Sequence, residues 1–216
     1  MQNIQSAMLT YANLYGGFTM FKRLFGLLWP QPVAPARPPI ELLSEEAYAR
    51  YKAGAGAFMR LISRHLGDQE SQRLGRLVEA KYGAKNRTSI DEIRWLFYDA
   101  MLDDQGQQLG QWLMLQVDLK DSEEVAWQAQ EMLTARGIKQ PWDWDDQGKT
   151  VMQGLEDLSL WLAERQFSLL VVDYESDSYY ALIVENTLVN QAIALAQDGG
   201  VKLVRFEDFA ATQGQE

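Results

Sequence analysis

The chain has 216 residues, 47% of them hydrophobic, and a formal net charge of −10. Its length suits one domain with an extension, and its apolar content supports a folded core. It has no cysteine, which excludes disulfide bonds, thiolate zinc sites and a cysteine nucleophile. The single histidine, His65, excludes histidine-rich metal sites. We expect His65 to be structural, as a cation near the end of a helix.

The negative charge is unevenly distributed along the chain. Residues 1–40 carry +3, so the total of −10 leaves −13 for residues 41–216. Such an acidic body repels phosphate backbones, and we therefore expect no nucleic-acid binding. It is suited to a basic protein partner, although acidity also serves simply to keep a protein soluble.

A short apolar stripe follows Met20. The apolar residues of Phe21–Trp29 recur at helical spacing beside Lys22 and Arg23. Two interpretations remain open: an amphipathic helix with weak membrane-surface or partner contact, or an ordinary N-terminus that starts at Met1 or Met20. The stripe is too short to span a bilayer, which needs about 20 apolar residues. Because Pro30 ends it before a normal signal-peptide core, we expect no export and a cytoplasmic location.

Composition divides the chain into four segments. Residues 1–29 form the N-terminal extension, and residues 30–39, with five of the six prolines, form a stiff linker. Residues 40–209 are predicted to form a single globular domain. Residues 210–216 form a polar tail that we expect to be frayed.

Three helices are predicted before the first strand. Ser44 caps the first, whose apolar residues step by three and four from Tyr48 to Leu66. A second helix ends by residue 83. The third begins at a capping box formed by Ser89 and Glu92. The N-terminal part of the domain is therefore expected to be helical.

The later chain alternates between strands and helices. Trp112–Val117 is a predicted strand, and Phe167–Val184 is predicted to form two strands joined by a polar turn. The apolar runs of this hairpin do not alternate, as is typical of strands covered on both faces, so we place it at the sheet centre. Val201–Arg205 is the last strand. These elements predict an α/β or α+β fold with a mixed sheet of about four strands covered by helices.

Three further helices separate these strands. The first, Glu123–Arg136, is expected to be capped by Asp121 or Ser122. The second carries apolar residues at helical spacing from Val151 to Leu162. The third follows the hairpin and is expected to be capped by Asn186.

Tryptophans outside the helical core stripes are candidates for partner binding. Trp127 does not share the inward face of its helix, so it is either covered by a loop or exposed for recognition. Trp142, Asp143 and Trp144 belong to a loop in which indoles and acids interleave. Either the indoles fix a surface loop to the core, or they form a binding surface, since tryptophan is enriched at binding hot spots.

Carboxylates at strand ends are the candidates for chemistry. If the strands ending at Asp118 and Asp173 are parallel, these residues meet at one end of the sheet, with Lys120 and Asp177 nearby. We expect no cofactor, but Mg²⁺ or Ca²⁺ could bind Asp118, Asp173 and Asp177, because both ions prefer oxygen ligands. With Lys120 the set is similar to the Asp…Asp/Glu-x-Lys pattern of metal-dependent nucleases. Ordinary turn and cap chemistry is the alternative.

The same residues carry a resemblance to a known family. The Asp118–Asp121 segment, the Glu124–Gln128 segment, the Trp142–Trp144 loop and the turn after Leu170 together resemble an uncharacterised bacterial domain of unknown function, DUF6630. The resemblance covers roughly residues 85–206, and it implies no reaction. The positions that it singles out are Asp118, Lys120, Trp127, Gln128, Trp144, Asp173, Asp177 and Tyr179. In this turn Tyr174 and Glu175 stand where the family has smaller residues.

Two functions follow from these features. The first is a non-enzymatic interaction module whose acidic, tryptophan-bearing sheet edge docks on a basic protein. Its predicted contact residues are Trp127, Gln128, Trp142, Asp143, Trp144 and Tyr179. The second is a metal-binding domain or metal-dependent hydrolase, whose candidate catalytic residues are Asp118, Lys120, Asp173 and Asp177.

Overall fold

The structure, a computed structural model, describes residues 43–83 and 89–213. The chain divides into two units, Met1–Pro39 and Ile40–Glu216, and every described residue belongs to the second. The predicted N-terminal extension, with its Phe21–Trp29 stripe, and the proline-rich segment lie outside the described residues. So do residues 214–216 of the predicted tail.

Three helices come first, as the sequence predicts. They are α1 (Glu45–Ser63), α2 (Asp68–Gly83) and α3 (Ile90–Met101), and a short 3-10 turn, Arg64–Leu66, follows α1. The Ser44 hydroxyl caps α1 by accepting from the Ala47 amide, and Ser89 and Glu92 form the predicted capping box of α3.

The sheet contains β1 (Met114–Asp118), β2 (Phe167–Val172), β3 (Ser178–Glu185) and β4 (Leu203–Arg205). Their order is β1-β3-β2-β4, which places the predicted hairpin at the centre. All three neighbouring pairs are antiparallel, so the sheet is antiparallel instead of mixed, and the fold is α+β. Because β1 and β2 both oppose β3, they run in the same direction and end at the same end of the sheet.

Four helices complete the domain: α4 (Glu123–Ala135), α5 (Val151–Ala163), α6 (Val189–Asp198) and α7 (Phe206–Gln213). Helix α7 extends to Gln213 and so includes residues 210–213 of the predicted polar tail. Asn186 does not cap α6. It begins a 3-10 turn, and its side-chain oxygen accepts from the Ser168 hydroxyl instead. Ser122 occupies the N-cap position of α4 but makes no capping hydrogen bond with its side chain.

Helices cover both faces of the sheet, which explains the absence of alternation in the central strands. On β2, Leu170 and Val172 pack in the hydrophobic cluster formed with α1, α2, α3 and α6. Leu169 and Val171 pack in the cluster on the opposite face, with α4, α5 and α7. Every second residue therefore meets a different helical layer, and both sets are apolar.

One glycine allows α1 to approach α6 closely. A Cβ atom on Gly54 would lie 2.4 Å from the backbone carbon of Asp198, so a larger residue would clash. None of the helices in the two described ranges is long and apolar enough to cross a membrane.

Candidate functional site

Asp118 and Asp173 lie at the same end of the sheet, but each is held by contacts of its own. One carboxylate oxygen of Asp118 accepts from the Lys120 amide at 2.9 Å. Asp173 accepts from the Glu175 amide at 3.2 Å and forms an ion pair with Lys202 at 2.6 Å. These are turn contacts and one salt bridge, which is the chemistry expected of Asp in loops.

Asp177 and Lys120 contribute through their main chains. The Asp177 carbonyl accepts from the Leu119 amide, which connects the end of β1 to the hairpin turn. The side chains of both residues are exposed. Within residues 43–83 and 89–213, no group of three or more His, Cys, Asp or Glu side chains is placed to hold a metal ion.

Asp173 forms its ion pair with Lys202, a residue that the sequence prediction did not include. This lysine lies just before β4, and its carbonyl also accepts from the Asp173 amide. The two residues are close only because β4 pairs with β2, a neighbour relation that residue spacing does not reveal.

An open, mostly polar groove of about 380 Å³ lies at this end of the sheet. Tyr179 and Phe209 line one part of it, with ring centroids 5.9 Å apart in an edge-to-face contact. Partial burial raises the pKa of the Tyr179 hydroxyl above its usual range. Tyr179 is thus half-buried against α7, and only part of it is available to a partner.

The hairpin turn is fixed to the core by Tyr174. This ring stacks on Trp95 at 4.8 Å and meets Tyr98 and Tyr180 edge to face. The next residue, Glu175, adopts a φ of 52°, an unusual conformation for a residue with a side chain. The bulky residue that departs from the family pattern therefore serves as an anchor.

Trp142 and Trp144 act mainly as structural tethers. Their rings stack at 5.7 Å, and the Trp142 indole donates to the Asp157 carboxylate at 2.7 Å. Trp142 is buried, and Trp144 packs so closely on Gly154 that a Cβ there would lie 2.7 Å from its ring. This geometry matches the interpretation in which the indoles fix a surface loop, with Asp143 exposed beside them.

Gln128 is buried and completes the outer edge of β1. Its side-chain amide accepts from the Gln116 amide and donates to the Gln116 carbonyl, both at 2.7 Å. Gln107, which the sequence prediction missed, does the same for Met114, at 2.9 Å and 3.1 Å. The two glutamines thus replace a neighbouring strand along this edge.

Trp127 remains exposed beside this edge. It is 42% exposed, its ring lies 5.6 Å from that of Trp112, and its indole donates to Glu124. Across the same edge, Glu131 accepts from the amide of Gly110, next to Leu109, which is 75% exposed. We refer to this patch as the β1-edge surface; it consists of Leu109, Gly110, Trp112, Glu124, Trp127 and Glu131.

The β1-edge surface is acidic as well as apolar. Helix α4 contains three glutamates and no lysine or arginine between its first and last residues. The loop from residue 102 to residue 111 contains two aspartates and no cation. Lys81 pairs with Asp103 of this loop, so the glutamates of α4 supply most of the negative charge beside the exposed apolar side chains.

His65 is structural, but it is not a cation. Its Nε2 lies 2.9 Å from an Arg136 guanidinium nitrogen, and since arginine only donates, His65 must accept. Burial, followed by the charge of Arg136, lowers the pKa of His65 to about 3. The expectation of a charged histidine at the helix end is therefore wrong.

The fold and the site define a class: an α+β domain whose antiparallel sheet lies between two helical layers and carries an acidic, tryptophan-bearing edge. The chain belongs to the family described as Domain of unknown function (DUF6630), whose model matches residues 56–207. This match includes part of α1 and all of α2, which the resemblance seen in the sequence did not cover. Among curated proteins, and among solved structures, no match was found.

Proposed function

We propose that this domain is a non-enzymatic interaction module that binds a basic protein partner through the β1-edge surface. The observation that carries the proposal is the exposure of Trp127, with Trp112 beside it, and of Leu109 on the same acidic edge. Tryptophan is enriched among the few interface residues that contribute most of a binding energy.

Charge complementarity indicates which kind of partner would bind this surface. Glu124 and Glu131 lie next to the apolar residues, and no lysine or arginine belongs to the β1-edge surface. A partner carrying lysines or arginines around an apolar anchor would be steered to this surface and oriented on it. Contacts would be made by side chains, because Gln107 and Gln128 already occupy the backbone groups of the β1 edge.

The metal-dependent alternative gains no support from the described contacts. Asp173 is engaged with Lys202, and Asp118 with its own turn.

The test is site-specific photo-crosslinking in the cells that make the protein. A photoreactive amino acid replaces Leu109, and in a control chain it replaces Leu160, which is 67% exposed on α5. We expect a basic partner to be captured at position 109 and not at position 160. Absence of any specific product at position 109 would contradict the proposal.

The captured partner is then purified and titrated against variants of the full chain. Trp127→Ala should weaken binding at least tenfold, since a hot-spot truncation costs about 2 kcal/mol or more. Leu160→Ala, the matched control, should leave the affinity unchanged. Equal affinity of the wild type and Trp127→Ala would overturn the proposal even if crosslinking succeeded.

A further inference from the structure

A second feature lies at the opposite end of β2 and is independent of the proposed docking surface. It is a small cavity of about 60 Å³ between the end of α1, the end of α4 and strands β2 and β3. We call it the arginine cavity. Its polar lining is Arg64, His65, Arg136 and Glu185, and its apolar lining includes Leu61, Phe167 and Leu188.

Arg136 is the central group of this cavity. It follows the last residue of α4, and its guanidinium group donates to His65 Nε2 and to the carbonyl oxygen of Ile183. A guanidinium group has five N–H donors. Among the described residues, no acceptor takes the other three.

The negative charge of Glu185 acts on Arg136 and opposes the lowering of its pKa, but the two side chains do not form an ion pair. His65 is neutral because it accepts from the guanidinium group, so it contributes no negative charge. Both carboxylate oxygens of Glu185 are engaged by Arg64, at 2.9 Å and 3.2 Å. Within the described part of the chain, Arg136 forms no ion pair with a carboxylate, so the cavity carries one positive charge in excess.

That excess positive charge is unusual in an acidic chain. Burial lowers the pKa of Arg136 to about 9, which still leaves the group charged at neutral pH. Arg136 is partly buried, and a charge withdrawn from water without a counter-charge is costly, so proteins generally pair such groups. The unused donors and the excess positive charge both favour the binding of a negatively charged hydrogen-bond acceptor.

We propose that the arginine cavity binds a small monovalent anion, either a halide or the carboxylate of a small organic acid. The cavity volume of about 60 Å³ exceeds the roughly 10–15 Å³ that one water molecule needs, so an ion of halide, formate or acetate size fits. The apolar residues of the lining suit a short alkyl group.

Thermal unfolding of the full chain tests this proposal. Bromide, formate and acetate are titrated at constant ionic strength, with the balance supplied by a bulky sulfonate buffer. We expect a saturable rise in melting temperature, because a ligand that binds only the native state stabilises it. A response to bromide alone would assign a halide site, and a response to formate and acetate alone would assign a carboxylate site.

Two variants distinguish the cavity from general salt effects. Arg136→Met should abolish the saturable rise, because it removes the charge and keeps a similar volume. Arg165→Met is the control, since Arg165 stacks on Trp161 outside the cavity. The proposal is wrong if the rise persists in Arg136→Met, is lost equally in both variants, or is absent from the wild type.

A crystallographic measurement covers the case in which Arg136→Met does not fold. Wild-type crystals soaked in bromide should show an anomalous peak within hydrogen-bonding distance of the Arg136 guanidinium group. Water at that position, after soaks in both bromide and formate, would overturn the proposal.

Discussion

Two buried tyrosines differ in whether a described residue forms a hydrogen bond with the hydroxyl group. The Tyr82 hydroxyl donates to the carbonyl oxygen of Gly199 at 2.9 Å, between α2 and the end of α6. The Tyr174 hydroxyl is equally buried, but no described residue provides a hydrogen-bond partner for it. Burial raises the pKa of both hydroxyls, so both remain neutral.

We therefore expect opposite effects from the same substitution. Tyr174→Phe should leave the free energy of unfolding unchanged or raise it by up to about 1 kcal/mol, because an unsatisfied hydroxyl is removed. Tyr82→Phe should lower it by about 1 kcal/mol through loss of a hydrogen bond. Urea unfolding measures both. Equal destabilisation by the two substitutions would show that Tyr174 has a partner and contradict the prediction.

His65 makes the stability depend on pH. Its pKa is lowered from 6.5 to about 3 in the folded chain, chiefly by burial and then by Arg136. Below pH 6.5 the unfolded chain binds a proton at this position that the folded chain does not bind. The stability contributed by the neutral ring is therefore complete above pH 6.5 and is lost as the pH falls toward 3.

The corresponding experiment compares wild type with His65→Gln between about pH 7 and about pH 5.5, where most carboxylates are still ionised. Glutamine can still accept from Arg136 but does not titrate. We expect the melting temperature of the wild type to fall more over this interval than that of the variant. The charged groups that line the cavity with the ring, Arg64, Arg136 and Glu185, are the same in both chains. Parallel curves for the two chains would contradict the assignment.

At the scale of elements, β1 is an edge strand whose outward-facing backbone groups are hydrogen-bonded by side chains. Gln107 and Gln128 satisfy the outward-facing backbone groups of Met114 and Gln116. Open edges of this kind pair with other chains and promote aggregation, and proteins block them in several ways. Here two side-chain amides imitate the missing strand, which leaves Trp127 as the exposed feature of the edge.

Removing one amide should expose this edge. Gln128→Leu should lower the free energy of unfolding by about 2 kcal/mol, because it leaves the Gln116 amide and carbonyl without partners. Gln130→Leu is the matched control on the exposed side of the same helix, and it should change stability by less than about 0.5 kcal/mol.

Self-association gives a second measure of the same substitution. Analytical ultracentrifugation should show Gln128→Leu forming dimers or larger species that Gln130→Leu does not form. If both variants behave like wild type, then Gln128 does not protect the β1 edge.

At the scale of the whole molecule, the sheet centre was predictable and the pairing direction was not. The central strands lack alternation, which identifies a sheet covered on both faces. Whether β1 pairs with β2 or with β3 depends on contacts between distant segments, and β3 lies between the other two strands. Helix α7 was missed because its polar residues outweigh Phe206 and Phe209, which alone are buried.

Residues of the site could be predicted from the sequence where a side chain departed from the apolar pattern of its helix. Trp127 lies off the apolar stripe of α4, and the structure leaves it exposed. Gln128 had a signal that the sequence prediction did not use: it lies three residues after Val125 and four before Met132, on the buried side of the helix. No signal in the sequence indicated the ion pair of Asp173 and Lys202, since it depends on the pairing of β2 with β4.

The two hydrophobic clusters should unfold as one unit. They lie on opposite faces of a single sheet, and adjacent residues of β2 and β3 belong to different clusters. Loss of either helical layer would expose half of the apolar side chains in the central strands. Neither layer can therefore detach at low cost, and small domains of this kind usually unfold in one transition.

One buried leucine in each cluster tests this coupling. Leu74→Ala, on α2, and Leu158→Ala, on α5, each remove a side chain that is at most 1% exposed. Each should lower the free energy of unfolding by about 2–5 kcal/mol. In both variants, far-ultraviolet circular dichroism and tryptophan fluorescence should report the same midpoint. Separate midpoints in Leu158→Ala would mean that the layer of α4, α5 and α7 unfolds independently, and that the sheet does not couple the two clusters.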